Sequence, residues 1–218
     1  MSDMAAQAQQ SARSMVIGLI VPDITNPFFA QLAKSIEMEV ASRGSMVMLA
    51  NSHDDPGIEL KQVRAMHEWP VTGIIVVAGS DASRSFSAEL PIISLDRRYG
   101  TYPLVATDQR DGARKVVDHL HGLGHRIIAY IAGPENLEVA RERRDGFIER
   151  VNELSTPDDE IDLTVHTGEF DFASGEAVAR NILLQLRRGF RVTAIATASD
   201  QQAIGVLRCA RDLGVHVP

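Results

Sequence analysis

A single cysteine, Cys209, occurs in 218 residues, which excludes an internal disulfide and a cysteine-built metal centre. No apolar run approaches the roughly 18–20 residues that a membrane-spanning helix needs. The longest, Met15 to Val21, stops at Pro22-Asp23. Positive charge is scarce too: 22 Lys and Arg stand against 29 Asp and Glu, a formal net charge of -7, so the overall balance recruits no polyanion. Residues 1–14 lack the apolar stretch of a secretory signal and carry Arg13 as their one cation. They read as a flexible leader or expression remnant, and the chain reads as cytoplasmic and not membrane-bound.

Catalytic signatures are missing as well. There is no G-x-x-x-x-G-K-[ST], no G-x-G-x-x-G after the first apolar run, no G-x-S-x-G elbow and no H-E-x-x-H. The expectation is a non-enzyme with no cofactor and no metal. Of the seven histidines, His119 and His121 are two apart on a predicted helix and cannot face one metal; solvated surface histidines are expected.

What is present is ordinary globular composition, 44% hydrophobic and 23% charged, with length enough for one large domain or two small ones. Short β-rich runs at 16–21, 45–50, 73–77, 92–95, 104–107, 126–131, 161–166 and 193–197 alternate with segments of helical period. Most of these runs are continuously apolar, the pattern of parallel strands covered by helices on both faces. Helices are predicted from an Asn26 cap and Pro27 to Gly44, from Pro56 to about Trp69, and over 109–122, 138–154, 173–188 and 201–213. In the first of these, Phe29, Leu32, Ala33, Ile36 and Val40 share one face and Phe28 falls off it. The alternation specifies a doubly wound α/β architecture.

Such sheets bind ligands beyond the carboxyl ends of their strands, so the residues just after strands are the candidates. Asp96 ends an apolar strand before Arg97 and Arg98; it is either an acceptor for ligand hydroxyls or half of a structural ion pair. Arg141, Arg143 and Arg144 form a solvated run, or one guanidinium turns inward to hold ligand oxygens. Phe28, Phe170 and Phe172 are either core residues or aromatic walls. Asp200 reads as the cap of the helix beginning at Gln201 and, with Ser199, lies after the last predicted strand.

The motifs together resemble the effector-binding core of LacI-type transcriptional regulators. Ile17-Gly18-Leu19-Ile20-Val21-Pro22-Asp23-Ile24-Thr25-Asn26-Pro27-Phe28-Phe29 resembles the opening of that core. Ile93-Ser94-Leu95-Asp96-Arg97, Asp108 to Gly112, Gly124-His125 and Ile131-Ala132-Gly133-Pro134 follow in order. Arg143-Arg144-Asp145-Gly146-Phe147 matches the family's R-x-x-G-[FY], and Ser199-Asp200 with Ala203 and Gly205, following Ala198, matches A-x-[NS]-D-x-x-A-x-G except at its first position, which is Thr197 here. Gly214 to Pro218 matches G-x-x-[VI]-P.

The resemblance implies two parallel-sheet subdomains of periplasmic-binding-protein type, here 15–104 and an incomplete 105–218, with a ligand cleft between them. By the family pattern the chain looks truncated at the C-terminus and lacks the helix-turn-helix headpiece. It implies ligand contacts from Asn26, Phe28 and Asp96 in the first subdomain and from Arg143, Phe170, Ser199 and Asp200 in the second. It further implies a small-molecule effector, a sugar or related metabolite, whose binding closes the cleft and changes DNA affinity. The implied assembly is a homodimer that meets operator DNA only through the headpiece. The alternative is a sugar-binding component of an ABC transporter.

Overall fold

In the computed structural model of the chain, residues 15–80, 90–186 and 191–217 are described, and the chain divides into two compact units, Met1–Ala106 and Thr107–Pro218. The expected leader 1–14, the end of the helix predicted over 173–188, and Pro218 lie outside the described residues. Among the described residues no helix is long and apolar enough to cross a membrane.

The first unit runs β1 (Val16–Val21), α1 (Pro27–Ser42), β2 (Met46–Asn51), α2 (Pro56–Glu68), β3 (Val71–Val76), β4 (Ile92–Leu95) and β5 (Leu104–Val105). Its sheet has the order β2-β1-β3-β4-β5 with every pair parallel. The second unit runs α3 (Gln109–Gly122), β6 (Ile127–Ala132), α4 (Glu138–Leu154), β7 (Asp162–Thr167), α5 (Phe172–Leu186), β8 (Ala194–Thr197) and α6 (Asp200–Asp212). Its sheet has the order β7-β6-β8, again parallel. The doubly wound α/β fold expected from the alternation is therefore present. Strand bounds move by a residue or two, because backbone pairing, not side-chain polarity, decides where a ladder ends.

In each unit the central strand feeds two cores. On β1, Ile20 packs with Val63 and Met66 of α2, while Leu19 and Val21 pack with Phe29 of α1. On β6, Ile128, Tyr130 and Ala132 face Val117, Phe147 and Val151 of α3 and α4, and Ala129 and Ile131 face Ala179, Ile182 and Val206 of α5 and α6. Successive residues point to opposite faces, so a strand covered on both sides must be apolar throughout. Each large side chain so buried contributes roughly 1.5–3 kcal/mol of transfer free energy.

Local signals set the helix starts. Asn26 caps α1 by accepting the Phe28 N–H at 3.0 Å, and Gly44, at φ +72°, turns the chain out of it. Asp55 caps α2 through Gly57 and Ile58, and Asp171 caps the turn into α5 through Ser174 N. The cap of α6 is Ser199, whose hydroxyl accepts from Gln202 N at 3.3 Å. The expectation that Asp200 caps this helix is thus off by one: Ser199 is extended, at φ -148° and ψ 155°, and Asp200 is the first helical residue, where a carboxylate meets the positive end of the helix dipole.

Helix pairs cross closely because glycines allow it. A Cβ on Gly146 of α4 would stand 2.5 Å from the Arg110 carbonyl of α3, and one on Gly205 of α6 would collide with the Phe172 carbonyl of α5. Across the solvent edge of α3 and α4 runs a ladder of ion pairs: Arg110 with Glu149, Arg114 with Glu153 at 2.6 Å, and Arg150 with Asp118 at 2.7 Å. Hydrogen bonds from Arg114 and then Arg150 hold the Glu153 carboxyl down at about 2. Below the strands, Asp159 receives Arg126 and shares a 2.9 Å bond with His121, which keeps its carboxyl below the usual aspartate range. His121 is therefore not a solvated histidine; it pins the loop that leads into β7.

Two predictions follow from this packing. Gly205→Ala should force two backbones apart and cost roughly 1–3 kcal/mol in urea denaturation, whereas Gly112→Ala, with nothing within 4 Å of its new Cβ, should gain about 0.5–1 kcal/mol of helix propensity. Because the folded-state Glu153 carboxyl titrates below its unfolded value, its contribution is complete above about pH 5 and is lost as the pH falls towards about 2. Thermal melts of Glu153→Gln should show a smaller acid-induced drop than the wild type.

Candidate functional site

The second unit carries a pocket of about 280 Å³ whose lining includes Thr107, Asp108, Gln109, Tyr130, Arg143 and Thr197. It is assembled from the start of α3, the middle of β6, one face of α4 and the carboxyl end of β8. Its apolar side is made by Tyr130 and Phe147, whose rings stack with centroids 4.2 Å apart. Burial pushes the Tyr130 phenol up to about 12, so at neutral pH it is a hydroxyl that can donate or accept and carries no charge.

Arg143 is the arginine of its run that turns to the pocket. Its Nε donates to Gln109 Oε1 and its Nη1 to the Ala198 carbonyl, both at 2.7 Å. Its guanidinium carbon lies 5.4 Å from the centroid of the Phe170 ring. Two bonds in different directions plus an aromatic face fix the plane of the guanidinium, an arrangement a flexible ammonium could not reproduce. The neighbouring arginines go elsewhere: Arg141 donates to the Glu135 carbonyl, and Arg144 donates to Asp145 and Glu135. Phe170 is half-buried and rests on Gly133, where a Cβ would collide with the ring. Arg143, Phe170 and Ser199 are thus brought together, Ser199 directly after the carbonyl that holds Arg143. Asp200 follows, exposed on the first turn of α6. Phe172, by contrast, opens α5 with Arg208 over its ring.

In the first unit the candidates also lie past strand ends. Phe28 is 52% exposed while Phe29 is buried, so the residue off the α1 stripe is the one presented to the surroundings. Asn26 spends its side-chain oxygen on the cap. Asp96 is half-buried at φ +59°, and His53 and Asp54 also have positive φ, at 55° and 54°. Non-glycine residues held in this region cost of order 1–3 kcal/mol each and gather at functional sites. The buried Arg97 ties these turns together, donating to Asp54 at 3.1 Å and to the Ala78 carbonyl at 3.4 Å, over the Phe29 ring at 5.2 Å.

Sequence reasoning missed Gln109, Tyr130 and Thr197 as pocket residues. For Gln109 the signal is at hand, since it lies in the segment Asp108 to Gly112 that carries part of the resemblance. For Tyr130, inside an apolar strand, there was none.

Residues 14–218 match the family of periplasmic binding proteins and the sugar-binding domain of the LacI family. The chain belongs to that family. Among its LacI-family relatives, the ribose operon repressor of Halalkalibacterium halodurans is 31% identical across 94% of this chain and 60% of its own length. The regulator DegA of Bacillus subtilis is 32% identical across 98% of this chain and 64% of its own length. The chain thus spans less than two thirds of these curated relatives. Among solved structures, the Cra transcriptional dual regulator of Pseudomonas putida, in complex with fructose 1-phosphate, superposes with a TM-score of 0.78 at 25% identity, covering 90% of this chain and 73% of that one. The R-x-x-G-[FY] motif of this LacI-family chain now has a physical account: its arginine is the pocket fork, its glycine the α3–α4 crossing and its aromatic the pocket floor.

The burial of Tyr130 is directly measurable. In an ultraviolet pH titration, Tyr130→Phe should remove a phenol ionisation centred near about 12; loss of a step near the ordinary tyrosine value of about 10 would contradict the packing.

Proposed function

We propose that this chain is the metabolite-sensing part of a LacI-type transcriptional regulator, and that it binds a small hydroxyl-rich molecule, a sugar or a close relative, without catalysing a reaction on it. The observation that carries the reading is the Arg143 fork, fixed by Gln109, Ala198 and Phe170 beside a pocket that also holds Asp108, Thr107 and Thr197. Sugars present both donors and acceptors, and this wall offers both. The candidate contacts are Arg143, Phe170, Ser199 and Asp200 on the second unit and Asn26, Phe28 and Asp96 on the first, each set to be tested by itself. The curated relatives compared above are regulators, which favours this reading over the solute-binding component of a transporter. On it, the protein is cytoplasmic and dimeric, with α1 and α2 supplying the contact between copies, and operator DNA is gripped by a segment other than this acidic chain. The coupling is reciprocal: if effector weakens DNA binding, DNA weakens effector binding by the same factor.

Calorimetric titration of D-ribose, D-fructose and fructose 1-phosphate is the test. At least one should bind the wild type, with Arg143→Ala weakening it about 100-fold and Asp96→Ala about 10-fold, the scale of a charge-assisted or ordinary hydrogen bond lost from a buried contact. Equal affinity in all three proteins would remove these residues from the site. Sedimentation should give a dimer; a monomer that still binds sugar would favour the transporter component.

A further inference from the structure

Within the A-x-[NS]-D-x-x-A-x-G segment, Gln202 occupies a position the motif leaves open, yet its side chain is wholly buried. Burying an amide is costly unless its donors and acceptor are met, and here they are. Its Oε1 accepts the Ala198 N–H at 3.0 Å, and its Nε2 donates to the Ala132 carbonyl at 3.1 Å and the Glu169 carbonyl at 3.0 Å. The assignment of oxygen and nitrogen is forced, because one partner is a donor and the other two are acceptors.

These partners lie at the carboxyl ends of three different strands. Ala132 is the last residue of β6, Ala198 follows β8, and Glu169 comes two residues after β7. Each leads to the surroundings of Arg143: Ala132 into Gly133 under the Phe170 ring, Glu169 into Phe170 itself, and Ala198 through the carbonyl that holds Arg143. The bonds close a circuit from Gln202 to Ala198, to Arg143, to the Phe170 ring, to Glu169 and back to Gln202. Gly175 lets the backbone of residue 202 approach this closely, since a Cβ there would collide with the Gln202 carbonyl.

We propose that Gln202 is a positioning residue: its amide sets the Phe170 ring and the Arg143 guanidinium in their working geometry by joining three strand ends. The proposal rests on the reading of Arg143 and Phe170 as a ligand wall, but its geometry can be judged without any ligand. Ala132 O also accepts from Gly168 N, and Ala198 N also donates to Ile131 O, so those two ends keep a ladder partner if the amide is removed. The bond to Glu169 O is the one whose loss should free a loop.

The test is amide hydrogen exchange by NMR on the full chain. In Gln202→Met, close in size but without the amide, the Glu169 and Ser174 amides, both bonded across the turn that carries Phe170, should exchange about tenfold faster. The Arg143 Nε–H signal should shift, while Ile128 and Tyr130 amides within β6 keep their wild-type protection. Equal acceleration in β6 and in the turn, or no change in either, would overturn the proposal by reducing Gln202 to general core stability or to nothing. Should the variant fail to fold, the wild type still decides: both side-chain amide protons of Gln202 should exchange far more slowly than those of exposed glutamines such as Gln31, and fast exchange would refute the bonds.

Discussion

Each unit depends on one strand that has no solvent side. β6 is buried along almost its whole length, from Ile128 to Ala132, and β1 is buried from Leu19 to Val21. A strand in that position must be covered above and below, because every side chain it projects needs an apolar partner, and here its neighbours are parallel to it. The helix pairs α3 with α4 and α5 with α6 follow from this, and so do the glycines that let each pair close over the sheet. Parallel pairing also puts all carboxyl ends on one edge of a sheet. The polar residues that cannot enter the core therefore collect at that edge, where backbone groups leave the ladder and need other partners.

The two units meet that need with the same device. In the first, Arg97 lies over Phe29 and donates to the carbonyl of Ala78, just past β3. In the second, Arg143 lies over Phe170 and donates to the carbonyl of Ala198, just past β8. An aromatic ring shields one face of the guanidinium, and a strand-end carbonyl fixes its direction. The second acceptor differs. Arg97 turns to the carboxylate of Asp54, which makes a charge pair between two turns, whereas Arg143 turns to the neutral amide of Gln109. A guanidinium matched to a carboxylate does more to hold turns, and the positive φ values of His53, Asp54 and Asp96 show that these turns need holding.

How much of this was readable depended on range. Residue alternation revealed the β–α order, the parallel sheets and the Asn26 cap, because those depend on neighbours within a few positions. The direction of Arg143 was legible only through its motif with Gly146 and Phe147. Asp200 was misread as a cap because serine and aspartate are about equally good there, and only backbone dihedrals separate them. Arg97 with Asp54, 43 positions apart, and Gln202 with Ala132, 70 apart, left no trace in the sequence. In both cases a polar residue that looks like surface becomes interior only after the sheet brings distant ends together.

That asymmetry explains why the site is built as it is. The candidate contacts of each unit are chemically distinctive, and they stand out in the sequence as Arg143, Asp96 or an off-stripe Phe28. Residues that hold them must be buried and satisfied, and a glutamine with three backbone partners does this without charge. An ion in the place of Gln202 would carry a desolvation cost of several kcal/mol; an apolar side chain would leave the Glu169 carbonyl without that amide donor. A neutral amide with both donors and an acceptor is the side chain that matches two carbonyls and one N–H at the point where three parallel strands end.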